Sequence, residues 1–246
     1  MLRSEGLIIS ESLAQDFCSP SRRKNGRIAG YATVFATQKT GKKTSQKLDI
    51  IKPSLLKKCT WALSSQSEEK YHDFEWGVPV HDDRLLFEFL ILEGAQAGLS
   101  WSTILNKREG YRKAFDNFNA EKIAQYNESK IQQLLNTPAI VRNKLKVSAA
   151  VSNAKAFLAV QQQYDGFSSY IWQFVNSQTK QNHWQSVNEL PVSTVESESM
   201  SKDLKQKGFK FVGPTICYAY MQAVGMVNDH TVDCFRHQQV KELASE

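Results

Sequence analysis

The chain has 246 residues, of which 41% are hydrophobic, enough to bury the core of one domain with an extension or of two small domains. Its richest apolar stretch, residues 85–92, is far shorter than the roughly 18 residues of a spanning helix. The first residues lack a secretory signal pattern, and four cysteines are too few for a disulfide scaffold. We expect a protein outside the membrane that is not secreted, cytoplasmic in a bacterium and nuclear or organellar in a eukaryote.

The formal net charge of +6 is unevenly distributed along the chain. Residues 1–58 contain 12 basic and 4 acidic side chains, a net +8, which leaves −2 for all the others. Nucleic-acid affinity requires cations that face phosphates locally. The basic total therefore does not by itself indicate that the folded part binds nucleic acid.

The basic residues mark an N-terminal extension, residues 1–56, with short clusters of Ser, Thr, Lys and Arg and no sustained periodicity. We predict that this extension is disordered and that a folded domain spans residues 57–246. Three roles remain open for it: a solvated tail, non-specific DNA attraction through its cations, or an organelle-targeting peptide. The acids Glu5, Glu11 and Asp16 suit the targeting role poorly.

The folded domain is predicted to be all-α. Asp82 or Asp83 can cap a helix running from Arg84 towards Ala97, because the apolar residues that follow recur on one face. Almost no segment has the periodicity of a strand. Further helices are expected after the caps Asn119 and Asn127 and over residues 143–163, 167–174, 200–207 and 215–224.

Two glycines, Gly208 and Gly213, enclose an apolar Phe-Lys-Phe-Val turn between the last two of these helices. This is a helix-hairpin-helix pattern, in which glycines let backbone N–H groups approach a DNA phosphate and the second helix directs its N-terminal dipole there. Lys210 in the turn would add a phosphate contact. Taken alone, the segment is equally compatible with an ordinary turn between two helices.

Six blocks of sequence, in a fixed order, resemble those of the 3-methyladenine DNA glycosylase I family. They are YHDFEWGVP (71–79), LEGAQAGLSW (92–101), KREGYR (107–112), MSKDL (200–204), GFKFVGPT (208–215) and MQAVGMVNDH (221–230). The resemblance covers nearly all of residues 59–237. It implies the helix-hairpin-helix glycosylase fold, monofunctional excision of 3-methyladenine from double-stranded DNA in base excision repair, and a structural zinc ion; we also expect a monomer.

Two cysteines and two histidines, Cys59, His72, His230 and Cys234, could form a Cys2His2 set. The separation of Cys59 and His72 is not that of a compact zinc finger, so the spacing alone favours buried thiols and hydrogen-bonded histidines. The resemblance instead assigns all four to a structural zinc ion with no position left for water. His230 and Cys234 would share one face if their segment is helical.

The remaining histidines and one more cysteine have simpler interpretations. His237 could compete for the metal, whereas Cys217 lies on an apolar stretch and is expected to be a core thiol. His81 and His183 are expected at the surface.

The resemblance also implies a base pocket. Glu93 of the LEG block would contact the excised base, and Tyr71 and Trp101 would stack on its faces. Without the motif, Glu93 is more simply a solvated acid at a helix end. Its apolar neighbours, however, favour a partly desolvated carboxylate, which would prefer a cationic base such as N3-alkylated adenine.

Other residues have competing interpretations. Gln96 and Leu99 could wedge into the gap left by the flipped base, or their turn could simply support Trp101. Asp229 lies beyond the hairpin, where other helix-hairpin-helix glycosylases place an aspartate that assists hydrolysis, but orienting its neighbour His230 is the preferred explanation. The tryptophans Trp61 and Trp76 are expected to belong to the core.

A protein that binds alkylated DNA without turnover would keep the same hairpin and pocket, so the sequence leaves this alternative open. No motif places a lysine for a Schiff base, which argues against an added lyase activity.

Overall fold

The computed structural model describes residues 56–245, so residues 1–55 of the predicted extension lie outside the described part. Within it, strand β1 (Lys180–Gln181) pairs in parallel with β2 (Val227–Asn228), and every other regular element is helical. The all-α prediction is therefore confirmed. The α-helices are α1 (Gln66–Phe74), α2 (Asp83–Gln96), α3 (Trp101–Ala114), α4 (Ala120–Ala124), α5 (Glu128–Leu135), α6 (Lys144–Tyr164), α7 (Phe167–Trp172), α8 (Val195–Gln206), α9 (Pro214–Ala223) and α10 (Phe235–Leu243).

None of the helices in the described part of the chain is long and apolar enough to cross a membrane.

Helix starts follow the predicted caps. The side chains of Asp82, Asn119 and Asn127 accept a backbone hydrogen bond in the first turns of α2, α4 and α5. Asp83 instead caps α7, accepting the backbone N–H of Phe167 at 2.8 Å. Both members of the ambiguous aspartate pair are thus caps, each of a different helix.

Helix α8 begins at Val195, five residues before the predicted start. Thr194 and Ser197 form a capping box there, each side chain bonded to the backbone of the other. The usual sequence signature has Glu or Gln at the second position, so this start gave little signal. Helices α1, α3 and α10 were also not predicted as separate elements.

Helix α2 is the centre of the fold. Residues 86–95 are all buried, because α3, α6, α7 and α9 pack around the helix. A helix whose buried residues extend around all of its sides requires such an environment. Glu93 therefore lies on one of the most rigidly packed elements of the domain.

Two acids and two arginines tie the first three helices together. The buried carboxylate of Glu88 on α2 accepts from Arg108 at 2.6 Å and from Arg112 at 2.8 Å, both on α3. Arg108 also reaches Glu75 beyond the end of α1 at 2.5 Å. Because each buried charge has a partner, the desolvation cost is offset, and α1, α2 and α3 hold a fixed relative position.

Candidate active site

A cavity of about 220 Å3 lies between α1, α2, α3 and α9. The three residues assigned to the base pocket, Tyr71, Glu93 and Trp101, all line it, although they come from three different helices. The other lining residues are Trp61, Trp76, Gln96, Leu190, Ala219 and Gln222.

The Glu93 side chain is only 4% exposed and has no hydrogen-bond or ion-pair partner among the described residues. Burial raises its pKa from 4.5 to about 8. An unpaired carboxylate in an apolar environment is costly when ionised, so it favours either a proton or a cation beside it. The cavity therefore has a built-in preference for a positively charged ligand.

Two buried hydrogen-bond donors belong to residues that line the same cavity. The Tyr71 hydroxyl and the Trp101 indole nitrogen have no hydrogen-bond partner within the part of the chain described here, although buried polar atoms are rarely left unpaired. Burial, followed by the charge of Glu93, raises the pKa of Tyr71, so the phenol keeps its proton. Their ring centroids are 5.3 Å apart with an interplanar angle of 56°.

The expectation that Trp61 and Trp76 belong to the core is incomplete, because both also line the cavity. Trp61 lies in a 3-10 turn before α1 and Trp76 follows the end of α1, and their rings meet edge to face at 4.9 Å. The two ends of one helix thus deliver both tryptophans. Only the position of Trp76 inside a family block could have signalled this.

Gln222 and Ala219 were missed by the sequence interpretation. Their spacing on α9 puts them on one helix face, but nothing local indicates that this face meets the cavity.

The Cys2His2 residues meet in a separate buried cluster, with ligand atoms all within 4.8 Å of one another. Cys234 Sγ lies 3.4 Å from His72 Nε2 and 3.6 Å from His230 Nδ1, and Cys59 Sγ lies 3.7 Å from His230 Nδ1. Tetrahedral zinc, with bonds of about 2.0–2.3 Å, separates its ligand atoms by about 3.3–3.8 Å. The hydrogen bond with Cys234, then those with the two histidines, lowers the pKa of Cys59 despite its burial.

The outer nitrogens of both histidines are also fixed. His72 Nδ1 lies 2.9 Å from Asp73 Oδ1, and His230 Nε2 lies 3.0 Å from the Trp76 carbonyl oxygen. Bonds of this kind orient metal-binding imidazoles and select their tautomers. The donor atoms, their spacing and these outer contacts all fit a structural zinc ion.

The condition under which His230 and Cys234 would share a helix face is not met. Their segment is a turn, and Cys234 directly precedes α10. His237 does not compete for the site, because its Nε2 bonds to the Asn182 carbonyl oxygen at 2.9 Å and the side chain lies outside the cluster.

Three smaller predictions agree with the structure. Cys217 is a buried thiol, and burial raises its pKa to about 12. His81 and His183 are exposed.

The interpretation that Asp229 orients His230 is wrong. The two side chains share no hydrogen bond; Asp229 is 1% exposed and points elsewhere. Its carboxylate accepts four hydrogen bonds of 2.6–2.8 Å, from Asn182, Trp184, Tyr218 and Gln222. An ionised carboxylate has about four acceptor positions, so Asp229 has none free for a reacting proton.

Helices α8 and α9 are joined by the expected hairpin turn. Gly208 has φ of +92°, a conformation that favours glycine, and a side chain at Gly208 or Gly213 would meet no described residue within 4 Å. Lys210 between them is exposed. The open surface of this turn leaves space for a phosphate group.

A buried asparagine that the sequence interpretation missed holds the hairpin from inside. Asn153 on α6 donates to the Lys210 carbonyl oxygen at 3.0 Å and accepts from the Lys210 backbone N–H at 2.7 Å. This side chain replaces a backbone partner for the turn.

The turn after α2 connects the cavity with the surface. Gln96 lines the cavity, and Leu99 is 40% exposed. The Lys146 ammonium donates to the carbonyl oxygens of Ala95 and Ala97 at 2.8 and 2.6 Å. This lysine fixes the C-terminal end of α2, from which the turn carrying Leu99 continues.

Comparison with known proteins agrees with this geometry. The methyladenine glycosylase family model matches residues 61–237. DNA-3-methyladenine glycosylase 1 of Escherichia coli K12 is 45% identical over 179 residues, which are 73% of this chain and 96% of that protein. A crystal structure of 3-methyladenine DNA glycosylase I matches with a TM-score of 0.71 and 46% identity, over 73% of this chain and 98% of that one. The Staphylococcus aureus enzyme, solved for the structural basis of 3-methyladenine recognition, matches with a TM-score of 0.71 and 37% identity, over 72% and 95%. The chain therefore belongs to the methyladenine glycosylase family.

Proposed function

We propose that this chain is a monofunctional DNA glycosylase that flips 3-methyladenine out of double-stranded DNA and excises it, the first step of base excision repair. The observation that carries the proposal is the buried, unpaired carboxylate of Glu93 in an aromatic cavity. The relatives named for 3-methyladenine supply the substrate class.

The chemistry requires selective binding more than activation. Alkylation at N3 gives the nucleoside a positive charge and makes the base a good leaving group. Glu93 has no competing cation in the described structure, so its preference for a charged ligand is available to the lesion. The base loses its positive charge as the glycosidic bond breaks, so Glu93 selects the cationic lesion, and the main contribution of the protein is to hold the base in position.

The aromatic side chains serve that orientation. For Tyr71 and Trp101 to clamp the two faces of the base, their rings, now 5.3 Å apart and tilted by 56°, would have to separate. Their hydroxyl and indole N–H, unpaired among the described residues, are available to the acceptor atoms of the base. No lysine is among the described residues that line the cavity, which supports hydrolysis without a Schiff base.

The protein would act as a monomer and would bind duplex DNA through the phosphates of the DNA backbone. Gly208 and Gly213 leave the hairpin open to a phosphate, and exposed Lys210 adds a cation. Gln96, which lines the cavity, and Leu99, which is exposed three residues later, would fill the gap left by the flipped nucleotide.

A structural zinc ion held by Cys59, His72, His230 and Cys234 is part of the proposal. When bound it would supply a cross-link and no catalysis, because four protein ligands leave no open coordination position. Cys59 precedes α1 and His72 lies on it, whereas His230 and Cys234 lie just before α10. The zinc ion would therefore link these two parts of the chain. Since α1 carries Tyr71 and is flanked by two cavity tryptophans, the cross-link would stabilise one wall of the cavity.

The test is release of free base from alkylated DNA by the wild type, by Glu93→Gln and by the matched control Glu121→Gln, whose side chain is exposed on α4. We expect release by the wild type and the control, and a loss of about 100-fold or more in Glu93→Gln. Tight binding of the lesion by the wild type without any release would favour the damage-binding alternative and overturn the glycosylase function.

A further inference from the structure

The orientation of one side-chain amide in the cavity is fixed by a hydrogen bond to a buried carboxylate. Gln222 on α9 lines the cavity, and its Nε2 donates to Asp229 Oδ2 at 2.7 Å. Because an ionised carboxylate only accepts, the reverse orientation of the amide would place two oxygens face to face. The carbonyl oxygen of Gln222 is therefore the end of this amide left to accept a hydrogen bond in the cavity.

Three further hydrogen bonds fix the position of the Asp229 carboxylate. It follows strand β2 and is buried, with Asn182 and Trp184 donating to Oδ1 and Tyr218 donating to Oδ2. Three of the four donors thus anchor the carboxylate, and the fourth is the cavity glutamine. Such a fully satisfied buried network stabilises a single geometry.

Hydrolysis needs an oriented water molecule. The water oxygen forms a bond to the anomeric carbon while the bond from that carbon to the base breaks. The electron pair of the broken glycosidic bond leaves with the base. The cationic lesion becomes neutral 3-methyladenine, and the water loses one proton to solvent. For its lone pair to face the carbon, the water must direct an O–H towards an acceptor.

We propose that the carbonyl oxygen of Gln222, fixed by Asp229, accepts a hydrogen bond from the attacking water and orients it; this inference rests on the proposed glycosylase function. Glu93 on α2 is assigned to the base. Gln222 lies instead near the C-terminal end of α9, so a second helix contributes this acceptor to the same cavity. Asp229 is a positioning residue, because it acts through Gln222.

The experiment compares Gln222→Met with the wild type and with Gln238→Met, the same change at an exposed position on α10. Single-turnover release of 3-methyladenine from alkylated DNA is followed in water and in water–methanol mixtures, and affinity for free 3-methyladenine is followed by quenching of the cavity tryptophans. We expect release to fall by about 10- to 100-fold in Gln222→Met. We also expect unchanged affinity for the free base and a larger share of methyl glycoside, since methanol would compete better with an unpositioned water.

Asp229→Asn provides a second variant. Its new amide nitrogen can donate, which lets the Gln222 amide turn over and present N–H groups to the cavity. The same rise in methanol capture is expected. An unchanged product ratio and rate in Gln222→Met would overturn the proposal, as would a loss of free-base affinity with an unchanged ratio, because Gln222 would then contact the base. Failure of the wild type to release 3-methyladenine would overturn the glycosylase function itself.

Discussion

Glu88 and Glu93 lie on the same helix, little more than one turn apart, and both are buried, yet among the described residues only Glu88 has partners, Arg108 and Arg112. The fold thus supplies cations to one carboxylate and withholds them from the other. Since unpaired buried charges destabilise a protein, Glu93 is a cost to stability that the function must justify.

The first prediction concerns stability and pH. Burial raises the pKa of Glu93 from 4.5 to about 8, so the ionised form is disfavoured by folding. The destabilisation caused by ionised Glu93 is absent below the pKa that this residue has in the unfolded chain. It grows as pH rises and is complete above about pH 8. Glu93→Gln removes it, and we expect the variant to gain stability relative to the wild type across this range.

The gain should reach a few kcal/mol at about pH 9, at about 1.4 kcal/mol for each unit of pKa shift. Denaturant unfolding between about pH 5 and pH 9 measures it. Glu121→Gln, an exposed change, should show no such trend, and a pH-independent difference for Glu93→Gln would contradict the prediction.

The second prediction concerns activity and pH. A cationic lesion requires ionised Glu93, which in the free protein is mostly protonated below about pH 8. We expect kcat/KM to rise with pH, by up to about tenfold per unit, and to level off near pH 8. The residual activity of Glu93→Gln should be flat over the same range. A rise that persists in this variant would assign the titration to another group.

The third prediction concerns the metal. Cys59→Ser should lower bound zinc and reduce the free energy of unfolding by about 4 kcal/mol or more, as expected for loss of a structural metal. Cys217→Ala is the control, because Cys217 is also buried but lies outside the cluster. Elemental analysis with thermal unfolding measures both effects. Full zinc content in Cys59→Ser would remove that residue from the ligand set.

The features predicted from sequence are those that depend on nearby residues. The caps Asp82, Asn119 and Asn127 bond to backbone groups three residues away, so their effect is visible in a short window. The family blocks identified the cavity residues Tyr71 and Trp101. Their assembly into one cavity was implied by resemblance and not by periodicity.

The features that were missed depend on contacts between distant segments. Asp229 was linked to its neighbour His230 because they are adjacent in sequence, but its partners come from α9 and from the segment after β1. Asn153 supports a turn 57 residues away. No local pattern encodes such pairings, since they follow from the packing of helices.

The fourth prediction concerns Lys146. Its ammonium bonds carbonyl groups at the C-terminal end of α2, those of Ala95 and Ala97, where it also opposes the negative end of the helix dipole. We expect Lys146→Met to lose about 1–2 kcal/mol of stability. Because the turn carrying Leu99 would become mobile, we also expect slower base flipping, measured with a fluorescent base opposite or beside the lesion.

Two further variants separate positioning by Lys146 from general loss of charge. Lys155→Met removes a cation from an exposed site on the same helix and should leave both stability and flipping unchanged. Lys146→Arg keeps a donor and should recover part of the flipping rate. Equal flipping rates for Lys146→Met and the wild type would show that the end of α2 holds the wedge without this lysine. Equal decreases of the flipping rate in Lys146→Met and Lys155→Met would indicate that the charge contributes to DNA affinity alone.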